Sequence, residues 1–427
     1  MKKINKQSLL LILILILAIF TRFFRLDQPN TFMFDEVYHA FTAREMARGN
    51  KMAWEWWNKP PEGFAYEWTH PPLAKEAMVA GIKVFGENSF GWRFPIALAG
   101  VGVVYLVYLL GKQLFNDQVG LIAAFLITFD GLFFVQSRIG MNDTFFLFFM
   151  LLAFWAYTKY HKEGHEVPQM LFLVGVALGL ALANKWTAIY AILILGGLWL
   201  INILKTKNLK LKTLFIGACS FLIIPVIVYL LSYLPFFTSG HTWEQFWGLQ
   251  HQMWWYHTRL KATHPYTSPW YSWPFLYRPV WYYVKYGEDT IANIYALGNP
   301  AVWWGGVIAI LYFILSYIRG ILAKKFSIRV PFGRFQFSIL LLGYFGFFLP
   351  WALSPRIMFL YHYLPSIPFM CLALGYGLDK IWQKNRLFVY LYLFVVFVVF
   401  LYFYPHLSAL PMPKWWVEQY FWFPSWR

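Results

Sequence analysis

The chain has 427 residues, of which 59% are hydrophobic and only 13% are charged, and its formal net charge is +17. This balance excludes an ordinary soluble domain, because such domains carry a much larger share of charged residues. It also disfavours a nucleic-acid-binding protein, since the basic residues fall mostly in short segments between long apolar stretches, where they report membrane topology.

Long apolar runs, separated by polar or helix-breaking residues, predict about eleven membrane-spanning helices. The predicted spans are 8–24, 91–113, 119–137, 143–160, 168–183, 186–204, 211–235, 298–319, 335–353, 357–379 and 386–404. The first run is interpreted as a retained span, because no small-residue cleavage site precedes Thr21-Arg22. The sequence therefore predicts an all-α polytopic membrane protein, with one transmembrane domain over 1–427 and no separate soluble domain.

Lysine and arginine are distributed unevenly between the two sides of these spans. With a cytoplasmic amino terminus, the inner segments carry the basic clusters, for example those in 2–6 and 319–334. The short outer loops contain only Arg138, Lys185 and Arg356. The positive-inside rule therefore predicts a cytoplasmic amino terminus and an extracytoplasmic carboxyl terminus. Three basic residues on the outer face also suggest a site for an anionic group.

The first outer loop, 25–90, contains the acidic pair Asp35-Glu36 in the stretch FMFDEVYHA. Two adjacent carboxylates beside a membrane are costly, because charge near hydrocarbon loses hydration. Such a pair is expected where a water-filled cavity needs acid–base or cation-binding chemistry, and a solvated loop start is the alternative. Later in the loop, His70-Pro71-Pro72 forms a rigid corner that presents the imidazole, and 73–86 has the apolar spacing of an interfacial helix.

Further polar residues lie where predicted spans meet the outer face. Each has a simpler explanation, such as anchoring to lipid headgroups, but together they indicate one site on one side of the membrane. A guanidinium with a carboxylate five residues later can hold a phosphate while being oriented itself. The residues concerned are Arg93, Arg138, Asp143, Lys185, Tyr361 and His362.

The fourth outer segment, 236–297, is dense in tryptophan, tyrosine and proline. Amphipathic aromatic rings favour the membrane interface, so a simple interfacial belt is one interpretation. The other is a surface-lying or re-entrant lid whose rings stack on a sugar or hold a peptide. Interfacial helices are predicted in both long outer segments.

The chain resembles a bacterial member of the protein O-mannosyltransferase family, in the glycosyltransferase-C superfamily. The stretches that carry the resemblance are FDEVYH, THPPLAK, WRFPIALAG, FVQSRIGMNDTF, NKWT, SPWYSWPFLYRPVWYY, ALGNPAVWW, YHYLPSIPF and FPSWR. They occur in family order over essentially the whole chain. The resemblance implies a glycosyltransferase-C fold and inverting transfer of mannose, from a dolichyl- or polyprenyl-phosphate-mannose donor, to Ser/Thr hydroxyls on the extracytoplasmic side.

The resemblance also implies roles for individual residues. Asp35 matches the catalytic acidic position, with Glu36 as its partner. A second group matches family motifs and is expected to bind the donor phosphate or the substrate, with Arg138 and Lys185 neutralising the departing lipid phosphate. That group comprises Arg93, Arg138, Lys185, His70, Asp143, Tyr361 and His362. One departure is that eukaryotic members have an Asp before HPPL, whereas here Glu67 is only a displaced candidate.

No tightly bound metal is predicted, because Asp35 and Glu36 alone supply too few ligands, and dependence on a divalent cation is left open. The expected partners are the polyprenyl-phosphate-mannose donor, an acceptor polypeptide with Ser or Thr, and the lipids of the cell membrane, but no nucleic acid. Two alternatives remain. One is a lipid-directed glycosyltransferase, since the aminoarabinose-transferase family shares the acidic pair and a stretch like 43–46. The other is a transporter, which should show inverted repeats.

Overall fold

The computed structural model describes residues 5–163, 168–207, 209–322 and 334–427. Parts of two predicted basic inner segments, residues 2–4 and 323–333, lie outside these ranges. In chain order the helices are α1 (Lys6–Phe23), α2 (His39–Ala47), α3 (Leu73–Phe85), α4 (Ser89–Leu114), α5 (Asp117–Thr128), α6 (Gly131–Gln136), α7 (Asp143–Glu163), α8 (Pro168–Leu182), α9 (Ala188–Thr206), α10 (Leu211–Ala218), α11 (Ile224–Leu231), α12 (Leu234–Thr238), α13 (Trp243–Arg259), α14 (Pro300–Leu322), α15 (Arg334–Phe348), α16 (Ile367–Trp382), α17 (Arg386–Leu407) and α18 (Lys414–Val417).

Every one of the eleven predicted spans contains helix in this structure. Seven helical stretches are both long and apolar enough to cross a membrane: Lys6–Phe23, Ser89–Leu114, Ala188–Thr206, Leu211–Thr238, Pro300–Arg319, Phe335–Leu353 and Arg386–Leu407. A helical, multi-span membrane protein is therefore confirmed. Two further apolar helices, α5 and α8, are shorter, so the number of complete crossings stays a prediction.

Polar side chains at the start of several helices explain where those helices begin. Asn88 caps α4, Asn116 caps α5 and Asn385 caps α17, each accepting a hydrogen bond from a backbone N–H in the first helical turn. Asp130 does the same for α6 through the amide of Phe133, at 2.8 Å. Because of this cap, the predicted span 119–137 is two helices, α5 and α6, and not one.

Close helix packing in the bundle depends on small residues. Where α4 and α5 meet, a Cβ built on Gly111 would lie 2.8 Å from the Cα of Gly120. Only glycine permits this approach, which follows the general preference of membrane helices for small residues at their contacts. α5 also packs against α16, so α5 lies inside the bundle. Nine of the twelve residues of α5 are buried.

The structure adds a small antiparallel sheet to the predicted helices. Its strands are β1 (Val280–Tyr286), β2 (Thr290–Ala296) and β3 (Met412–Pro413), in the order β1-β2-β3. In the β1–β2 hairpin Val280 pairs with Ala296 and Tyr286 with Ile291. The aromatic and β-branched residues of β1 favour a strand, whereas the composition of this segment suggested an interfacial belt or a surface-lying lid and no sheet.

Both long outer segments contain the expected helices outside the main bundle. α3 matches the predicted stretch 73–86 closely, and α13 lies in the fourth outer segment. Four tryptophans of α13, Trp243, Trp247, Trp254 and Trp255, are exposed. Large exposed rings suit the membrane interface, but the position of α13 relative to a bilayer stays a prediction.

Two hydrogen bonds to backbone carbonyls hold the outer segments over the helix ends. The amide of Leu73 donates to the carbonyl of Ala183, which ties the first outer loop to the α8–α9 turn. His257 of α13 hydrogen bonds to the carbonyl of Thr69. These contacts bring the Asp35 loop, the α3 corner and α13 to the same end of the bundle.

Candidate active site

Glu36 is fully buried and every contact of its carboxylate is internal. Oε1 accepts from Arg93 Nε at 2.7 Å and from the Gly140 amide at 2.8 Å. Oε2 accepts from Arg93 Nη2 at 2.7 Å and from the Met33 amide at 3.1 Å. A Cβ on Gly140 would come within 3.2 Å of Oε1, so the glycine lets the backbone approach the carboxylate. Glu36 is thus a fully satisfied structural anion.

Arg93 is fully buried as well, and all five of its N–H groups have partners. Two bind Glu36, and the others donate to the carbonyl oxygens of Leu26, Pro29 and Thr31, at 2.8–3.2 Å. A guanidinium has five donors in total, so none remains for a phosphate. The predicted contact of Arg93 with the donor is therefore corrected to a positioning role, in which Arg93 orders the loop that carries Asp35.

Asp35 differs from Glu36 in both its exposure and its hydrogen bonding. Its carboxylate is partly exposed and forms no hydrogen bond or ion pair with any residue that the structure describes. Burial and, to a smaller extent, the neighbouring carboxylates of Asp143 and Glu67 raise the pKa of Asp35 to about 7, with Lys185 partly offsetting them. A free carboxylate that titrates near neutrality is suited to accept a proton during catalysis.

Asp143 and Lys185 form an ion pair beside Asp35. Lys185 Nζ lies 2.6 Å from Asp143 Oδ1, and both side chains are largely buried. Asp143 Oδ2 is buried and has no partner in the described chain. An unpaired buried acceptor is costly, so this oxygen is available to a donor group of a bound molecule. The structure therefore brings Asp143 and Lys185 together with Asp35, as the sequence predicts.

Glu67 is the centre of a buried network that the sequence analysis left in doubt. Its Oε2 accepts from Lys75 Nζ at 2.5 Å, and its Oε1 lies 2.8 Å from His70 Nδ1. Burial alone would raise the pKa of Glu67, but Lys75, His39 and His70 together hold it well below its usual range. His70, predicted as a substrate-binding residue, is thus oriented through Nδ1 by Glu67. The feature of the sequence that could have indicated this network is the presence of Glu67 and Lys75, two opposite charges eight residues apart, on either side of His70.

His39, Glu67 and His70 are the only described residues that form a group able to hold a metal, with ligand atoms within 4.8 Å of one another. His39 Nδ1 is buried and has no hydrogen-bond partner among the described residues. However, the ammonium of Lys75 already binds the Glu67 carboxylate. A second cation there would be repelled, so the donor set fits a lysine ion pair better than a metal ion.

Arg138 was predicted to neutralise the donor phosphate, but its observed contacts serve another purpose. Nη1 donates to the carbonyls of Thr21, Arg22 and Phe24, and Nη2 to that of Arg25, at 2.8–3.0 Å. These carbonyls surround the end of α1, where the helix dipole favours a cation. Arg138 therefore caps α1 in this structure, and its predicted contact with the donor phosphate stays a prediction.

Aromatic side chains form one wall beside Asp35. The rings of Phe34 and Tyr282 stack with centroids 3.9 Å apart. Tyr361 meets Phe34 edge-on at 5.8 Å and lies within electrostatic reach of Asp35 and Asp143. This position agrees with the predicted role of Tyr361 beside the substrate. Stacked rings of this kind provide an apolar face against which a sugar can bind.

His362 is placed differently from its prediction. Its Nδ1 accepts the amide of Phe359 at 3.1 Å, and its ring stacks on Trp351 at 4.2 Å. These contacts stabilise the turn before α16, so His362 supports the wall that carries Tyr361. Its own contact with a substrate stays a prediction.

An open cavity of about 670 Å³ is lined by residues of α2 and the following segment, such as Phe41, Arg44 and Tyr66, and by none of the predicted site residues. The contacts around Asp35 support proton abstraction next to a lysine that can bind an anion, with an aromatic wall.

Family models match nearly the whole chain. The model described as dolichyl-phosphate-mannose-protein mannosyltransferase matches residues 12–239. The model described as the C-terminal four-TMM region of protein-O-mannosyltransferase matches residues 242–426.

Curated relatives agree with these models. The chain is 27% identical to polyprenol-phosphate-mannose–protein mannosyltransferase of Mycolicibacterium smegmatis, over 96% of this chain and 91% of the relative. It is also 27% identical to the protein of the same name in Corynebacterium glutamicum, over 97% and 92%. A shorter match, 38% identical over 137 residues, is to dolichyl-phosphate-mannose–protein mannosyltransferase 1 of Saccharomyces cerevisiae, with 30% of this chain and 16% of the relative covered.

Solved structures share the fold. The protein O-mannosyltransferase Pmt1–Pmt2 complex of S. cerevisiae, bound to the sugar donor, superimposes with a TM-score of 0.84 at 17% identity, covering 100% of this chain and 93% of that one. ArnT of Cupriavidus metallidurans, bound to undecaprenyl phosphate, gives a TM-score of 0.56 at 15% identity, over 87% and 60%. These likenesses confirm the glycosyltransferase-C type of fold expected from the sequence.

Proposed function

The chain belongs to the dolichyl-phosphate-mannose-protein mannosyltransferase family, and from this membership we propose that it transfers mannose from polyprenyl-phosphate-mannose to Ser or Thr hydroxyls of polypeptides. The observation that carries the proposal is the contrast between the two acidic neighbours. Glu36 is locked in an internal ion pair, whereas Asp35 is free and has its pKa raised to about 7 by burial.

The proposed reaction is a single displacement with inversion. The acceptor oxygen forms a bond to the anomeric carbon of mannose while the bond from that carbon to the phosphate oxygen breaks. The hydroxyl proton passes to the Asp35 carboxylate, and the bonding electron pair leaves with the lipid phosphate. Because a phosphate is already a good leaving group, no general acid is required.

Other residues of the cluster support this step. Lys185 neutralises charge on the phosphate and is itself oriented by Asp143. Arg93 and Glu36 hold the Asp35 loop in a fixed position, so the base does not have to be reorganised during the reaction. Tyr361 and the Phe34–Tyr282 pair border the sugar. His70, oriented by Glu67, is assigned to binding the substrate.

We propose a cell-membrane location with the amino terminus in the cytoplasm and the site on the extracytoplasmic face. The support is the distribution of lysine and arginine along the chain. Asp35 and Lys185 both lie in segments that this distribution assigns to the outer side. Cysteine-accessibility labelling of Asp35→Cys and Lys210→Cys in sealed cells would report opposite sides; labelling of both from outside would overturn the orientation.

The function is tested with membranes that contain the overproduced protein, radiolabelled polyprenyl-phosphate-mannose and a Ser/Thr-rich acceptor polypeptide. Label should enter the polypeptide and be released by β-elimination, which cleaves sugars from Ser and Thr. Asp35→Asn should abolish the transfer, whereas Asp27→Asn, at an exposed carboxylate in the same loop, should not. Label that enters only lipid would favour the lipid-directed alternative, and movement of intact donor without transfer would favour a transporter.

A further inference from the structure

Arg356 is one of the three outer basic residues that suggest an anion site in the sequence, but neither the family motifs nor the proposed reaction gives it an individual role. It lies in the segment between α15 and α16, and its guanidinium lies over the ring of Tyr256 at 4.6 Å. Nη1 hydrogen bonds to His257 Nδ1, and Nε is buried without a partner among the described residues. A buried, unpaired N–H of a guanidinium is costly unless a ligand completes it.

His257 holds Arg356 without cancelling its charge. Nε2 of His257 lies 2.7 Å from the carbonyl oxygen of Thr69, which can only accept, so Nε2 carries the proton. Nδ1 of a neutral imidazole is then an acceptor, as the bond from Arg356 requires. Burial, together with His70 and Arg356, lowers the pKa of His257 to about 3, so the ring stays neutral at physiological pH.

Three other cations of this cluster each have a carboxylate partner. Arg93 pairs with Glu36, Lys75 with Glu67 and Lys185 with Asp143. In the described chain, Arg356 has no carboxylate within 4.0 Å. Its full positive charge therefore remains available to an anion.

Arg356 belongs to the same space as the proposed base. Its charge acts on Tyr361 together with that of Asp35, and on His362 together with that of Lys185. The next residue, Ile357, lines an open cavity of about 410 Å³ with residues of 262–267. Arg356 thus acts on side chains of the site and directly precedes a residue that lines an opening of the protein.

We propose that Arg356 binds the phosphate of the lipid-linked donor and stabilises the charge that develops on it, with His257 as its positioning residue. The proposal rests on the proposed function. The donor is a phosphodiester with one negative charge, and the departing monoester carries nearly two at neutral pH. A cation held by a neutral histidine gains interaction as the second charge develops, so it stabilises the transition state more than the bound donor.

The test compares Arg356→Gln with Arg356→Lys and with a matched control, Arg259→Gln. Arg259 is exposed on α13, and its side chain forms no hydrogen bond or ion pair with the described residues, so its variant loses the same charge away from the site. Arg356→Gln should lower kcat/KM for the donor on the order of 10²-fold and leave KM for the acceptor unchanged. Arg356→Lys should recover part of the loss, and Arg259→Gln should behave like the wild type.

His257 has its own pair of variants. His257→Gln keeps one donor and one acceptor and should retain most donor use, whereas His257→Phe keeps neither and should resemble Arg356→Gln. Equal losses of kcat/KM for the donor in both variants would show that His257 does not position Arg356.

A second measurement separates this inference from the function. Binding of sugar-free polyprenyl phosphate to the purified protein in detergent should weaken in Arg356→Gln and not in Arg259→Gln. If Arg356→Gln binds polyprenyl phosphate and uses the donor like the wild type while Asp35→Asn is inactive, the phosphate role of Arg356 is wrong and the proposed function stands. If the wild type transfers no mannose, the function is wrong and the binding comparison alone decides on Arg356.

Discussion

Glu36 and Arg93 form a bidentate ion pair in which neither side chain has any exposed surface. The pair connects the loop of the first outer segment to the start of α4, and the backbone of Gly140 completes it. The two adjacent carboxylates therefore have different roles. Glu36 stabilises the loop through its buried ion pair, and Asp35 is held at a fixed position without a partner of its own in the described chain.

Breaking this pair should destabilise the protein strongly. Glu36→Gln or Arg93→Leu leaves one charge buried and unpaired, which costs about 3–5 kcal/mol. Thermal unfolding in detergent should show a clear loss for both variants. Arg48→Gln is the control, since Arg48 pairs with Glu87 at the exposed surface, where such pairs contribute about 0–1 kcal/mol. Similar losses in all three variants would show that burial of the Glu36–Arg93 pair does not matter.

Asp35→Asn should instead separate activity from stability. A general base contributes about 10²–10⁴-fold to the rate, so transfer should fall by that order.

Burial raises the pKa of Asp35 from 3.8 to about 7, which means that the fold disfavours the charged form. The wild type should then lose stability as pH rises from about 4 through 7, and Asp35→Asn should not. A variant that unfolds at a lower temperature than the wild type at pH 7.5 would contradict this.

The pH dependence of the reaction should follow the charges around Asp35. Since the base must be deprotonated, kcat/KM should rise with pH to a plateau, with its midpoint near 7 and not near 4. Lys185→Met removes an opposite charge and should move the midpoint to higher pH. Asp143→Asn removes a like charge and should move it to lower pH. Lys83→Met, at an exposed site on α3, is the control. Shifts in the same direction for both site variants would exclude Asp35 as the titrating group.

Much of the helical framework could be predicted from the sequence because membrane spans depend on local apolar composition. The sheet was missed for two reasons. The aromatic residues of the local β1–β2 hairpin also suit a membrane interface, and the β2–β3 pairing of Ile291 with Met412 joins residues far apart along the chain. The division of 119–137 into α5 and α6 depends on one cap, Asp130, whose other partners are Trp303 and the amide of Asn299, far along the chain.

In the site, too, the sequence predicts positions better than it predicts side-chain contacts. Motif positions predicted which residues lie near Asp35, but not how many of their hydrogen bonds are already used. Arg93 and Arg138 look like phosphate ligands in the sequence because both are arginines at the outer face. In the structure Arg93 binds Glu36 and carbonyls of the loop after α1, and Arg138 binds carbonyls at the end of α1. Arg356 appeared no more important than these two until the contacts of His257 were known.

The Glu67–Lys75 pair should show strong energetic coupling. Lys75→Met leaves the buried Glu67 carboxylate without its ammonium partner and should cost about 3–5 kcal/mol. Glu67→Gln combined with Lys75→Met removes both charges, so the double variant should be more stable than Lys75→Met alone. A double-mutant cycle by thermal unfolding measures this coupling, which should exceed about 0.5 kcal/mol. Strictly additive losses would show that Lys75 is held by the carbonyls of Glu67 and His70 instead.

Divalent metal should not be required for transfer. The group His39, Glu67 and His70 has the residue types of a zinc site, but the Lys75 ammonium binds the only carboxylate in it. Activity should therefore survive treatment with a chelator. In Lys75→Met the competing charge is gone, so zinc should raise the unfolding temperature of that variant. The unfolding temperature of the wild type should not change with zinc. The double variant Lys75→Met/His39→Ala should show no increase either. Loss of wild-type activity on chelation, restored by zinc, would mean that the metal and Lys75 share Glu67 after all.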